Sequence, residues 1–214
     1  VLTGDFLFAR AAKLAADTNS IPVMSLFAKT LGTIVNGEIT QLFTSRCQSS
    51  REDYYQRIYA KTASLFEAAV ICAALISPVG PDQVEWVHQY GYNIGMAFQI
   101  VDDVFDFIGD QSSLGKPVGS DLRQGLITLP TIYYVEDHPE DPNAQEIANG
   151  NCLKYDDQIA EIVEHIRTSS AIEQSLNEAD GFVQNALRFL DKLPNGQENE
   201  HLQELTLYIT RRNL

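Results

Sequence analysis

Positive charge is scarce in this chain. Lys and Arg number 15 against 29 Asp and Glu, a formal net charge of -14 over 214 residues. Such an acidic balance argues against nucleic acid, whose phosphate backbone selects basic surfaces, and against an electrostatic anchor on anionic lipid. Binding an anionic molecule would need local cations or a metal. Cysteine is also sparse: Cys47, Cys72 and Cys152 are widely spaced, with no Cys-x-x-Cys. An odd, scattered set reads as reduced thiols filling the core in an intracellular, reducing setting. No stretch approaches the ~18 apolar residues of a membrane span. Nor is there a His-Glu-x-x-His pattern, and no alternating strand pattern with hairpin signals occurs. The chain opens Val1-Leu2-Thr3-Gly4, without an initiator Met or a signal-like segment, as if entered in mid-domain.

What remains is helical. Hydrophobic content of 44% marks a globular chain with enough length for a real core. Spacing and caps predict helices over about 4–18, 21–45, 51–76, 82–108, 128–136, 144–149, 155–168, 170–192 and 198–211. Ser20 caps the second, with Pro22 in its first turn. Ser49 and Glu52 suggest a capping box for the third. Pro78, Gly80 and Pro81 break the chain, and 109–125 and 137–144 read as loops. Several helices are apolar over more than one face, which predicts a bundle whose central helices are surrounded by others.

One helix carries an anomaly. Within Phe98-Gln99-Ile100-Val101-Asp102-Asp103-Val104-Phe105-Asp106, three carboxylates interrupt an apolar rod. Burying an unpaired charge costs several kcal/mol, so something must neutralise them, and a divalent metal is the obvious candidate. Asp102 and Asp106 lie one turn apart with Asp103 beside them, and Gln99 and Gly95 continue the stripe. Hard oxygen ligands at this spacing suit Mg²⁺, which is usually completed by substrate phosphates. The bland alternative is an acidic helix end facing water, which opposes the helix dipole.

Three further elements are weak when taken singly. Lys61-Thr62 lies mid-helix, where a snorkelling lysine is the ordinary reading. Lys116, between Gly115 and Pro117, is by default an exposed loop lysine. The run Gly119-Ser120-Asp121-Leu122-Arg123-Gln124-Gly125 reads as a turn in which Asp121 bonds nearby backbone amides. Glu161 and His165 read as a surface helix pair.

Taken together and in order, these motifs resemble the trans-prenyltransferases, the isoprenyl diphosphate synthases. Asp102 to Asp106 is similar to that family's second aspartate-rich motif. Gly4-Asp5-Phe6-Leu7 and Gly37-Glu38-Ile39-Thr40-Gln41 resemble two of its helices. Gly119 to Pro130 and the acidic C-terminal part most resemble the mitochondrial long-chain polyprenyl diphosphate synthases of quinone side chains.

The resemblance implies an all-α fold, the C-terminal two-thirds of an isoprenoid-synthase-type helical bundle. Residues 1–214 would then be a single, N-terminally incomplete polyprenyl synthetase domain. It implies Mg²⁺ as cofactor, allylic diphosphate and isopentenyl diphosphate as substrates, a homodimer or heteromer, and a mitochondrial location on the matrix side. Asp102, Asp103 and Asp106 would serve the metal. Lys61 and Lys116 would clamp the allylic diphosphate, and Thr62 and Gln99 would line the reacting centre. Arg211 and Arg212 would reach isopentenyl diphosphate, solvated arginines at a helix end being the alternative. The family's first aspartate-rich motif has no counterpart here; Asp156-Asp157 with Glu161 resembles it only loosely. The polypeptide alone is therefore expected to be inactive. Leu126 also stands where many relatives carry a lysine, which puts one diphosphate contact in question. Other readings are the prenyltransferase part of a terpene synthase and a non-catalytic regulatory subunit. The intact acidic trio, Lys61 and Gln99 count against the latter.

Overall fold

The computed structural model describes residues 1–43, 46–47, 50–109 and 117–211, with the side chains of Thr210 and Arg211 left out, and every regular element among them is helical. The elements are α1 (Leu2–Asp17), α2 (Ile21–Phe43), α3 (Arg51–Ile58), a π-helical turn (Tyr59–Ala63), α4 (Ser64–Leu75), α5 (Pro81–Ile108), α6 (Ser120–Arg123), α7 (Leu129–Asp137), α8 (Pro142–Ala148), α9 (Asp156–Thr168), α10 (Ala171–Leu190) and α11 (Gln197–Arg211). The predicted all-α bundle is therefore what forms, with most ends within a few residues of the sequence reading.

Local chemistry sets the ends. Ser50, rather than Ser49, caps α3: its hydroxyl accepts from the Asp53 N–H at 3.4 Å. Ser49 lies outside the described residues. Gln83 reaches back from the first turn of α5, its carbonyl accepting from the Gly80 N–H at 3.1 Å. Asp141 accepts from the Asn143 and Ala144 N–H groups ahead of α8, where Pro142 fits the first turn.

α5 is the central rod. Its buried residues run from Tyr90 to Phe107 and occupy every face of the helix. α4 lies along one side of it and α10 along another. α10 buries Ala171, Ser175, Ala179, Val183, Ala186 and Leu190, a stripe at spacings of three and four. Its small residues let the two helices approach closely. α9 adds Ile162 and Ile166, both fully buried, and α7 adds Leu129 and Ile132.

Two expectations need correction. By length and composition alone, the helix Arg51–Leu75 would be able to cross a membrane. It packs along α5, burying Tyr54, Ile58, Ala63, Ser64, Ala68 and Ala74, while Leu65 and Leu75 stay exposed. The cysteines are not all free thiols: Cys47 and Cys152 form a disulfide with Cα atoms 5.1 Å apart, and Cys72 is the free one among described residues. The pair joins the segment after α2 to the segment after α8, which contiguity in sequence cannot reveal. Both sulfurs lie against Gly125, whose carbonyl accepts from the Cys47 N–H at 2.8 Å.

Candidate active site

The site lies where the α3–α4 rod crosses α5. In Ala60-Lys61-Thr62-Ala63 the outer residues are small, and glycines from two other helices press on them. A Cβ on Gly95 of α5 would fall 2.6 Å from the Ala63 Cα, and one on Gly37 of α2 would fall 2.6 Å from the Ala60 Cβ. Between these close approaches the helix widens into the π turn. Such turns insert a residue, re-aim side chains and are frequent at functional sites. This one carries exposed Lys61 and half-buried Thr62.

From Thr62 a chain of hydrogen bonds runs inward. The Thr62 hydroxyl donates to Gln99 Oε1 at 2.5 Å. Gln99 Nε2 donates to Asp103 Oδ1 at 2.8 Å, and the Tyr54 hydroxyl donates to Asp103 Oδ2 at 2.9 Å. Tyr54, Gln99 and Asp103 are all buried. Burial pushes the Asp103 carboxyl up to about 7, with the nearby Asp121 charge adding to the rise; the two hydrogen bonds and Arg57 oppose it. Burial and the Asp103 charge raise the Tyr54 phenol well above its usual value, so it stays a donor.

The acidic trio is thus not one cluster. Asp102 is exposed, and Asp103, one residue and about 100° further round the helix, points into the core. Asp106 accepts from the Ser120 and Asp121 N–H groups at 3.1 and 3.0 Å. Its own carbonyl accepts from Gly119, which adopts the left-handed conformation at φ +70°. Asp103 and Asp106 thus have hydrogen-bond partners within the chain, so neutralising the trio does not rest on a metal alone. Among the described residues no three His, Cys, Asp or Glu side chains gather into a metal-holding group.

Other expected residues fall differently. Lys116 and Arg212 lie outside the described residues, and Arg211 ends α11 with its side chain outside them. Asp121 uses its backbone: its N–H donates to Asp106 and its carbonyl accepts from Leu126. Leu126 lines a cleft of about 240 Å³ with Arg46 and Arg123, and the Arg123 guanidinium pairs with Asp156 at 3.1 Å. Glu161 accepts from Asn143 Nδ2, while His165 pairs with Asp141 at 3.1 Å, so the expected Glu161–His165 pair does not form.

Two residues were missed. Tyr54 was read only as part of a helix, although it lies two turns before Lys61 and so roughly on its face. Arg57 stacks 5.5 Å from the Tyr54 ring centre and donates to the Ile127 carbonyl, tying α3 to the segment before α7. Next to the polar chain the lining is aromatic: the rings of Phe66 and Phe98 pack 5.2 Å apart. Three residues beyond Thr62 begins an apolar groove of about 530 Å³ between α1, α2 and α4. It follows α4 from Leu65 to Ile76, a length of roughly 16 Å. The Phe27 and Leu31 side chains of α2 line this groove and are half-buried.

A family model described as "Polyprenyl synthetase" matches residues 1–166. The chain belongs to the polyprenyl synthetase family. Heptaprenyl diphosphate synthase component 2 of Geobacillus stearothermophilus is 36% identical over 212 residues, covering 99% of this chain and 65% of that protein. The crystal structure of heptaprenyl diphosphate synthase from Staphylococcus aureus superposes with a TM-score of 0.91 at 31% identity, covering 100% of this chain and 67% of that one. A polyprenyl synthase from Caulobacter crescentus CB15, complexed with calcium and isoprenyl diphosphate, gives 0.88 at 34% identity, covering 100% of this chain and 66% of that one. The chain thus spans about two thirds of the length of these relatives.

For a family member the donor chemistry decides which metal fits. The stripe offers hard carboxylate oxygens, with Asp102 exposed and Asp106 half-buried. One or two carboxylates with substrate phosphates is the way Mg²⁺ is usually held, and the described residues build no all-protein cage.

Proposed function

We propose that this polyprenyl synthetase chain serves a Mg²⁺-dependent prenyltransferase that joins isopentenyl diphosphate to an allylic diphosphate, giving a linear polyprenyl diphosphate. The features that carry this reading are the polar Lys61–Thr62–Gln99 end and the apolar groove that begins at Leu65, three residues further along the same rod. Together they suit one molecule with an anionic head and a long hydrocarbon tail. The names of the relatives, heptaprenyl diphosphate synthases among them, support it.

Each residue has a physical task in this reaction. Ionisation of the allylic diphosphate builds negative charge on the departing pyrophosphate and positive charge on carbon. Lys61, exposed on the π turn, supplies fixed positive charge to the diphosphate, and Lys116 is assigned the same task by resemblance. Asp102 is the residue that would hold Mg²⁺. When bound, that ion supplies charge against the diphosphate oxygens. The oxygens of Thr62 and Gln99 lie beside the reacting carbon, and Phe66 and Phe98 give it an apolar wall that keeps out water. The isopentenyl double bond then forms a bond to that carbon as its C–O bond to pyrophosphate breaks, and a proton lost from the isopentenyl unit to the released pyrophosphate or water leaves a chain one five-carbon unit longer.

Finer points belong to the same proposal: a long-chain product for quinone side chains, a mitochondrial matrix location, and assembly with a second copy or a related subunit. The relative named "component 2" is consistent with the last. That the 214 residues alone bind ligand without turnover belongs to the same proposal, since the family's first aspartate-rich motif has no counterpart among them.

Titration of the chain with a non-hydrolysable prenyl bisphosphonate and Mg²⁺ tests the reading. Binding should require the ion and weaken at least about tenfold in Asp102→Ala and in Lys61→Ala. Binding indifferent to Mg²⁺ and to both substitutions would sink it.

A further inference from the structure

Gln99 has a side chain whose oxygen and nitrogen exchange places by a half-turn at little steric cost. Whichever end faces Thr62 decides whether a lone pair or a pair of N–H donors is presented at the reacting centre. The structure holds the oxygen there, 2.5 Å from the Thr62 hydroxyl. The reason lies on the other side of the amide. Its nitrogen donates to Asp103 Oδ1 at 2.8 Å, and the ionised carboxylate, which Tyr54 and Gln99 both serve as donors, would repel the amide oxygen after a half-turn.

The Asp103 carboxylate is itself a broad two-fold rotor. One contact, to Gln99, would leave it free to swing. The second contact comes from Tyr54, whose hydroxyl takes the other oxygen at 2.9 Å. Tyr54 is well anchored: its ring is 1% exposed, packs on Tyr55 at 5.5 Å and lies beneath the Arg57 guanidinium. Tyr54 and Thr62 stand on opposite sides of where the π turn begins, and they reach Asp103 and Gln99, one turn apart on α5. The widened turn is therefore pinned to α5 at two points through one amide and one carboxylate.

We infer that Tyr54 is a positioning residue, fixing through Asp103 the orientation of the Gln99 amide that faces Thr62. The structural half of the inference stands on geometry, and its catalytic half rests on the prenyltransferase reading. Asp103 acts here as an orienting group.

Nitrogen-15 NMR of the Gln99 side-chain amide, assigned by its loss in Gln99→Met, decides the structural half on this chain. The parent should show one slowly exchanging NH₂ pair. In Tyr54→Phe the pair should exchange at least about tenfold faster and split or broaden as both orientations become populated. An unchanged pair in a folded Tyr54→Phe protein overturns the inference. Should that variant fail to fold, 3-fluorotyrosine placed at position 54 keeps ring and hydroxyl while strengthening the donor. The Gln99 signal must then shift, and an unmoved signal overturns the inference. In a form of the protein that turns over, Tyr54→Phe should lower kcat about ten- to a hundredfold with KM for the allylic diphosphate within twofold. A kcat within twofold of the parent overturns the catalytic half. If the parent shows no turnover in any form, the prenyltransferase reading falls instead, and the amide signal still decides for or against Tyr54.

Discussion

α1 and α5 are both rich in apolar residues, yet their fates are opposite. α1 buries none of its residues, leaving Leu2, Phe6, Leu7, Phe8 and Leu14 at 50% exposure or more. α5 buries residues round its whole circumference, with Met96, Ala97, Ile100, Val101, Val104 and Phe107 at 0%. The difference is neighbours. α5 has α4, α10, α11 and the π turn packed around it, whereas α1 touches chiefly α2. Apolar area stabilises only where it leaves water, so equal composition contributes unequally.

That contrast is open to experiment. The largest effect should come from truncating the central rod: Phe107→Ala should cost about 3–5 kcal/mol in urea unfolding, and Phe6→Ala no more than about 0.5 kcal/mol. A large loss from Phe6→Ala would show α1 covered in solution and break the comparison. Next comes the tie between the outer segments. Removing the disulfide by Cys47→Ser should cost about 2–5 kcal/mol, because it closes a loop of 105 residues in the unfolded chain. Thiol counting in denaturant should find one free thiol before reduction and three after.

Glycines sharpen the contrast further. Gly95→Ala places a Cβ against the Ala63 backbone, so overpacking should destabilise by about 1–3 kcal/mol despite the better helix former. Gly4→Ala in α1 meets nothing within 4 Å and should stabilise by up to about 1 kcal/mol through helix propensity alone. Thermal unfolding of the two variants should therefore shift in opposite directions.

The site divides along the same line. The helix bearing Gln99, Asp102, Asp103 and Asp106 was legible because carboxylates in an apolar rod are costly and stand out. Their division of labour was not. A step of about 100° between Asp102 and Asp103 separates solvent from core, and which direction is core depends on where α3 and α10 pack. Tyr54 was missed for a related reason: a tyrosine in a helix announces burial, while its partner 49 residues away does not show in any local pattern. The disulfide was misread because three scattered cysteines carry no information about which two will meet.

By itself the sequence determined the helices, their breaks and the chemical character of the stripe, since periodicity, capping and the cost of buried charge act over a few residues. Tertiary structure alone decided that two glycines squeeze a π turn under Lys61 and Thr62. It also turned Asp103 inward to Tyr54 and Gln99 while Asp102 stayed on the exposed face of α5. Those outcomes follow from which helix surfaces meet, and contacts between distant segments are set by the packing of the whole bundle.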